Sequence, residues 1–187
     1  MPRFVSNSER SRRVARRMRR RCGVLMISML LYGSAVCAGV EEGELMAAYL
    51  YNFSKFIHWP PRTESLQLCV YGRSESIQAL EALTGKQVQG RPMKVVRRSR
   101  GESLESCHIV YVADSERPFL APVLRSLAGR PVLTVSEIPE FVAAGGMVRF
   151  VRVERRLRFE INAASARAAG LGISSQLLKL AVDVVRD

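Results

Sequence analysis

Beyond residue 38 the side chains with most chemistry in them are two histidines, His58 and His108, and two cysteines, Cys69 and Cys107. Cys107 and His108 are neighbours in "CHIVYVAD" (107–114), an arrangement that invites a thiolate–imidazole nucleophile. The segment reads as a buried strand, however, and adjacent strand residues project to opposite faces, so the pair cannot easily hydrogen-bond. His58 adjoins Trp59 at the end of an expected helix and reads as a packed or solvent-exposed imidazole. Neither CxxC nor HxxxH spacing occurs, which removes the usual zinc frameworks. "GKQVQGRP" (85–92) has the flavour of a phosphate loop but lacks GxxxxGK[ST], and no GxGxxG follows the first strand. Gly145-Gly146 can bring backbone amides near an anion or simply form a turn, and the turn is the simpler reading. No catalytic, metal or cofactor site is expected, and nothing demands an enzyme.

The elements that position these residues follow from punctuation and periodicity. "GELMAAYLYNFSKFIHW" (43–59) places Met46, Tyr49/Leu50, Phe53 and Phe56/Ile57 at helical spacing, and Pro60-Pro61 stops it. Those aromatics read as core, with a docking surface as the alternative. "LQLCVYG" (66–72), "CHIVYVAD" (107–114) and "RPVLTVSE" (130–137) predict strands, and "KQVQGRPMKVVRR" (86–98) is extended with a bend at Gly90-Arg91-Pro92. Helices are expected over 74–83, 116–127 and 138–144. "MVRFVRV" and "RLRFEIN" around Glu154-Arg155 predict a hairpin, with Leu157, Phe159 and Ile161 inward and Arg156, Arg158 and Glu160 outward. A short helix from Asn162 to Gly170 and a last one in "SSQLLKLAVDVV" (174–185) complete the chain. Strands alternating with helices imply an α/β fold: a single domain with a mostly parallel sheet flanked by helices on both faces, and a C-terminal antiparallel hairpin. Cys69 and Cys107 then lie on strands expected to be neighbours.

The charge is unevenly spread. The chain carries 29 basic and 17 acidic residues, a net of +12. Nine arginines and one glutamate fall in residues 1–38; subtracting them leaves 20 and 16, a net of +4 for 39–187. The arginines run into Val24-Leu25-Met26-Ile27 and then into Gly33, Ser34 and Ala35, the positive, apolar and small-residue parts of a secretory signal. Residues 1–38 are therefore expected to be a signal peptide, cut after Val36-Cys37-Ala38, with Met18 a plausible true start, and 39–187 the mature domain. With its basicity concentrated in the leader, the domain is not expected to bind nucleic acid. Export would place Cys69 and Cys107 in an oxidising compartment, where an even pair suggests one bridge; in the cytosol the same pair would be two buried thiols.

Five segments carry a resemblance. "AAYLYNFSKFIHWP" (47–60), "GKQVQGRPMKV" (85–95), "CHIVYVADSER" (107–117), "RPVLTVSEIPEFVAAGGMVRFV" (130–151) and "RFEINAASARAAGLGISSQLLKLA" (158–181) together resemble the YfiR-like periplasmic proteins, in order and across nearly all of 45–182. The resemblance implies a single α/β domain that works by protein contact in the periplasm. The best-known member restrains an inner-membrane diguanylate cyclase by binding its periplasmic sensory region, which keeps cyclic di-GMP and biofilm formation low. It also implies a disulfide between Cys69 and Cys107, which match a family pair. The second cysteine pair of the best-known member is missing here, so a two-bridge redox mechanism is not implied. The expected partner is the periplasmic domain of an inner-membrane diguanylate cyclase or of a sensor kinase. A homodimer stays open, as does a different class of function, a periplasmic small-molecule-binding module using the crevice at the strand C-termini.

Overall fold

The computed structural model describes residues 37–60 and 64–187, with side chains from residue 42 onward. The expected signal peptide lies outside the described residues, apart from the backbone of Cys37 and Ala38.

Helix α1 (Cys37–Phe56) is followed at once by a two-residue strand, β1 (Ile57–His58). Then come β2 (Leu66–Tyr71), α2 (Ile77–Glu81), β3 (Gln87–Val88), β4 (Arg91–Arg98) and β5 (Ile109–Val112). A 3-10 turn (Asp114–Phe119) leads into α3 (Leu120–Leu127), then β6 (Leu133–Ser136), β7 (Val148–Val153) and β8 (Arg156–Asn162). The chain closes with α4 (Ala163–Ala168), β9 (Gly172–Ile173), α5 (Ser175–Leu178) and β10 (Asp183–Val185).

The main sheet has eight strands in the order β10-β8-β7-β6-β5-β2-β4-β3. All its pairings are parallel except β3–β4 and the β7–β8 hairpin. The C-terminal hairpin has the expected inward set: Leu157, Phe159 and Ile161 are buried, whereas Arg156 and Arg158 are exposed. Both hairpins turn through two residues of positive φ, Gln89-Gly90 and Glu154-Arg155, the twist that matches two-residue connections.

Strand alternation sends side chains to two separate cores. Leu68, Val70, Ile109, Tyr111, Leu133 and Val135 pack with residues of α1, α2, α4 and α5. Cys69, Tyr71, Val110 and Val112 pack with Leu120, Val123, Leu124 and Leu127 of α3. The aromatic residues of α1 belong to the first core: the Phe53 ring lies 4.6 Å from Phe159 and 5.8 Å from Phe150, centroid to centroid.

Three expectations are corrected. Residues 138–144 form successive turns rather than a helix: Phe141 N bonds to Ile138 O, whereas Ala144 N bonds to Glu140 O, so three- and four-residue bonds mix without a continuous ladder. The helix expected over 116–127 begins as a 3-10 turn, with Pro118 inside it, and becomes α-helical at Leu120. The last helix stops at Leu178, and Asp183–Val185 joins the sheet beside Glu160–Asn162. There the run Val-Asp-Val-Val meets an open strand edge, and the hydrogen bonds of that edge outweigh the helical spacing of the leucines.

Candidate functional site: the disulfide, the crevice and the surface

Cys69 lies on β2, and Cys107 lies two residues before β5 rather than on it. Their sulfurs are bonded, with the Cα atoms 5.8 Å apart, inside the usual window of about 4.4–6.8 Å. In the β2–β5 register Cys69 faces Val110. A straight run would therefore leave Cys107 about 10 Å further along the sheet. The chain instead turns at Leu104, whose carbonyl accepts from Cys107 N, and doubles back over Cys69. The bridge fastens the β4–β5 connection onto the face covered by α3, where both cysteines are buried.

His108 is occupied in holding that turn. Its amide donates to Gln67 O, its carbonyl accepts from Trp59 Nε1 at 3.2 Å, and its Nδ1 accepts from Gln67 N at 3.2 Å. Because an amide can only donate, Nδ1 is the unprotonated nitrogen. The imidazole is 8 % exposed and serves the strand entry. His58 is exposed on β1, opposite Gly172. Residues 87–92 form the β3–β4 hairpin. Gln89, at the turn, directs its amide nitrogen to Ile57 O at 2.8 Å and to Ser54 O and Lys55 O at 3.3 Å, and so caps the last carbonyls of α1. Gly146 is needed for packing, since a Cβ there would lie 2.3 Å from the Phe141 ring. Among the described residues no group of three His, Cys, Asp or Glu side chains is placed to hold a metal ion.

Side chains of the chain itself meet where β2 and β5 end. Tyr111, at the end of β5, donates its hydroxyl to Glu137 Oε2 at 2.7 Å. A Cβ on Gly72, just past β2, would lie 2.5 Å from Glu116 Cγ and 2.7 Å from Ser115 Oγ. Arg73 N donates to Ser115 Oγ at 2.9 Å. Buried Glu116 is neutralised by Arg100 at 3.1 Å, whose guanidinium also lies over the Phe119 ring at 4.2 Å. Burial, and then the negative charge of Glu137, push the Tyr111 phenol well above its ordinary value of 10.0.

A pH dependence follows from that phenol. Its pKa is higher in the folded chain than in the unfolded one, so above pH 10 the unfolded chain releases the proton first. The contribution is complete below pH 10 and declines as pH rises beyond it. Tyr111→Phe removes the titrating group and is expected to flatten the loss of stability between pH 9 and 11, measured by urea unfolding at each pH. An unchanged slope in the variant would show that Tyr111 does not carry the alkaline transition.

Shallower openings lie on the surface. A groove of about 510 Å³ runs between α1 and α2, floored by Gly43, Ala47, Ala48, Ala79 and Ala82. A cleft of about 570 Å³ lies between α3 and the loop at Arg100–Glu105.

A family model described as YfiR/HmsC-like (DUF4154) matches residues 43–182. The chain belongs to the YfiR/HmsC-like family. The match takes in every strand of the domain up to β9 and both bonded cysteines. YfiR/HmsC-like proteins are periplasmic regulators rather than enzymes. In this YfiR/HmsC-like chain the residues with most chemistry, His108 and the cysteines, are bound up in one structural knot. Sequence reasoning missed the helix cap made by Gln89. Its only signal was a non-glycine residue before Gly90 in a tight turn, with a long amide able to reach back.

Proposed function

We propose that this protein is exported, that residues 1–38 are the leader, and that the domain from residue 39 binds the periplasmic sensory region of an inner-membrane signalling protein. The partner in this reading is a diguanylate cyclase held in check, so that cyclic di-GMP stays low; a sensor kinase is the same interaction with a different output. The observation that carries the reading is the family match across residues 43–182. A buried disulfide, which persists in oxidising compartments, supports the location. Among the described residues no helix is long and apolar enough to cross a membrane.

The test has two stages. Protein recovered from the periplasm is expected to begin close to Gly39, by N-terminal sequencing; a chain that still carries Arg12 to Arg21 would sink the export reading. The recovered protein is then mixed with the purified periplasmic region of a diguanylate cyclase from the same genome, and the intact cyclase is assayed with and without it. Lower cyclic di-GMP synthesis on addition is the expected result. The periplasmic region of a sensor kinase from the same genome is tested in the same way; a complex with it alone would favour the kinase form of the reading, and no complex with either receptor would overturn it.

A further inference from the structure

One edge of the sheet is closed for part of its length only. Met93 donates its amide to Lys86 O and accepts from Gly85 N, both at 2.9 Å, so its backbone points away from β2 and is covered by the segment that leads into β3. Arg98 O instead accepts from Gly72 N at 3.1 Å, on the β2 side. Along an extended strand these directions alternate: residues 94, 96 and 98 turn their backbone groups towards β2, and Val95 and Arg97 turn theirs outward with Met93. The covering chain has left for α2 by Thr84, and the next amide beyond the gap, Ser99 N, is taken by the Glu102 carboxylate. Among the described residues no backbone group is bonded to Val95 or Arg97 on the outer side. Two amides and two carbonyls thus form a gap in an otherwise capped edge, beside an Arg97 side chain that is 65 % exposed.

Among the described residues, the charges beside the gap that no salt bridge takes up, Lys94 and Arg98, are both positive. Arg97 is paired with Glu81 at 2.6 Å on the face shared with Val95. On the opposite face Lys94 is exposed, and Arg98 has a buried Nε without a hydrogen-bond partner. Neither forms an ion pair among the described residues. Such cations deter a neutral strand or a second copy of the same edge. They favour an incoming strand that brings carboxylates near Lys94 and Arg98, which lie four positions apart.

We infer that the open edge of β4 at Val95 and Arg97 is a docking site for an extended, acidic segment of a protein partner, which adds a strand to the sheet. This inference builds on the partner-binding reading above and names the surface used. Main-chain bonds to Val95 and Arg97 supply affinity, and Lys94 and Arg98 supply the choice of sign.

The probe is a capped heptapeptide with two glutamates four positions apart among valines and threonines; its control has lysines in their place. Amide hydrogen exchange is read by NMR on the purified protein. Without peptide, Val95 and Arg97 are expected to exchange about 100-fold faster than Val96, whose amide faces β2. The acidic peptide is expected to slow both by about tenfold or more and the basic peptide to leave them unchanged. Slow exchange at Val95 and Arg97 in the free protein would overturn the inference, as would equal or absent protection by the two peptides. Lys94→Glu, an exposed substitution, is expected to abolish protection by the acidic peptide while the melting temperature holds; retained protection overturns the assignment of sign. Val95→Pro removes one outward amide and no inward one, and is expected to lose the peptide as well. If Lys94→Glu protein still binds and restrains the cyclase normally, the edge is not the surface used and the functional reading stands. If the peptide docks as described but no receptor is bound, the functional reading fails and the edge remains.

Discussion

Phe53→Ala is expected to destabilise the protein by about 3–5 kcal/mol, the range for removing a large aromatic side chain from a rigid core. Phe53 is 1 % exposed and stands on α1 where helix and sheet meet. Its ring is edge-on to Phe159 at 4.6 Å, stacked on Phe150 at 5.8 Å and tilted against Tyr49 at 5.8 Å. Phe150 and Phe159 are direct partners across the β7–β8 hairpin, so one side chain on α1 bridges both of its strands. Little can collapse into the space left behind, because the flanking strands are fixed by the ladder and Tyr49 is tethered through its hydroxyl to Leu157 O. Against a typical domain stability of about 5–15 kcal/mol the loss is severe. Urea unfolding of wild type and variant measures it; a change under about 1 kcal/mol would mean that the aromatic cluster is not the centre of the core. Phe53→Leu keeps most of the apolar volume and is expected to cost less than half as much.

This cluster was legible in the sequence, and the reason is periodicity. Met46, Leu50, Phe53 and Ile57 fall on one helical stripe, and Leu157, Phe159 and Ile161 on one strand face. Each pattern requires a single buried side, and the fold brings the two sides together. The strands in the middle of the sheet were legible for the same reason, as apolar runs buried on both faces. What escaped were the places where a distant partner decides the local conformation. Asp183–Val185 becomes a strand because β8 has an open edge beside it, which no local pattern reports. Ile57–His58 pairs with Gly172–Ile173 and interrupts what reads as one helix up to Trp59. The open edge of β4 was invisible as well, since a gap in a ladder depends on where the neighbouring chain departs. The chemistry-bearing residues were visible by type, but their roles were set by contacts remote in sequence, as with the backbone of Gln67 against His108.

Cys69→Ser is expected to have the other large effect. The bridge closes a loop with a sequence separation of 38, for which chain-entropy reasoning gives about 4 kcal/mol of stabilisation. The closed loop runs through α2, β3, β4 and the β4–β5 connection, so the reduced unfolded chain gains freedom over about a quarter of the domain. The native state loses something too. Cys69 is wholly buried, and a serine there places a hydroxyl in the α3-side core. The remaining thiol of Cys107 no longer holds the turn at Leu104 against the sheet. Three measurements separate these contributions. Wild type in excess reductant isolates the bond itself and is expected to lose most of the 4 kcal/mol. Cys69→Ala with Cys107→Ala, which leaves no polar group behind, is expected to match the reduced wild type. Cys69→Ser is expected to fall below both and to be insensitive to reductant. The loss is expected to be uneven in space, with amides from Leu104 to His108 gaining exchange first, because the bridge is what folds that segment back over β2. Equal stability of oxidised and reduced wild type would show that the sheet register alone holds the connection, and the bond would then be a bystander to the fold.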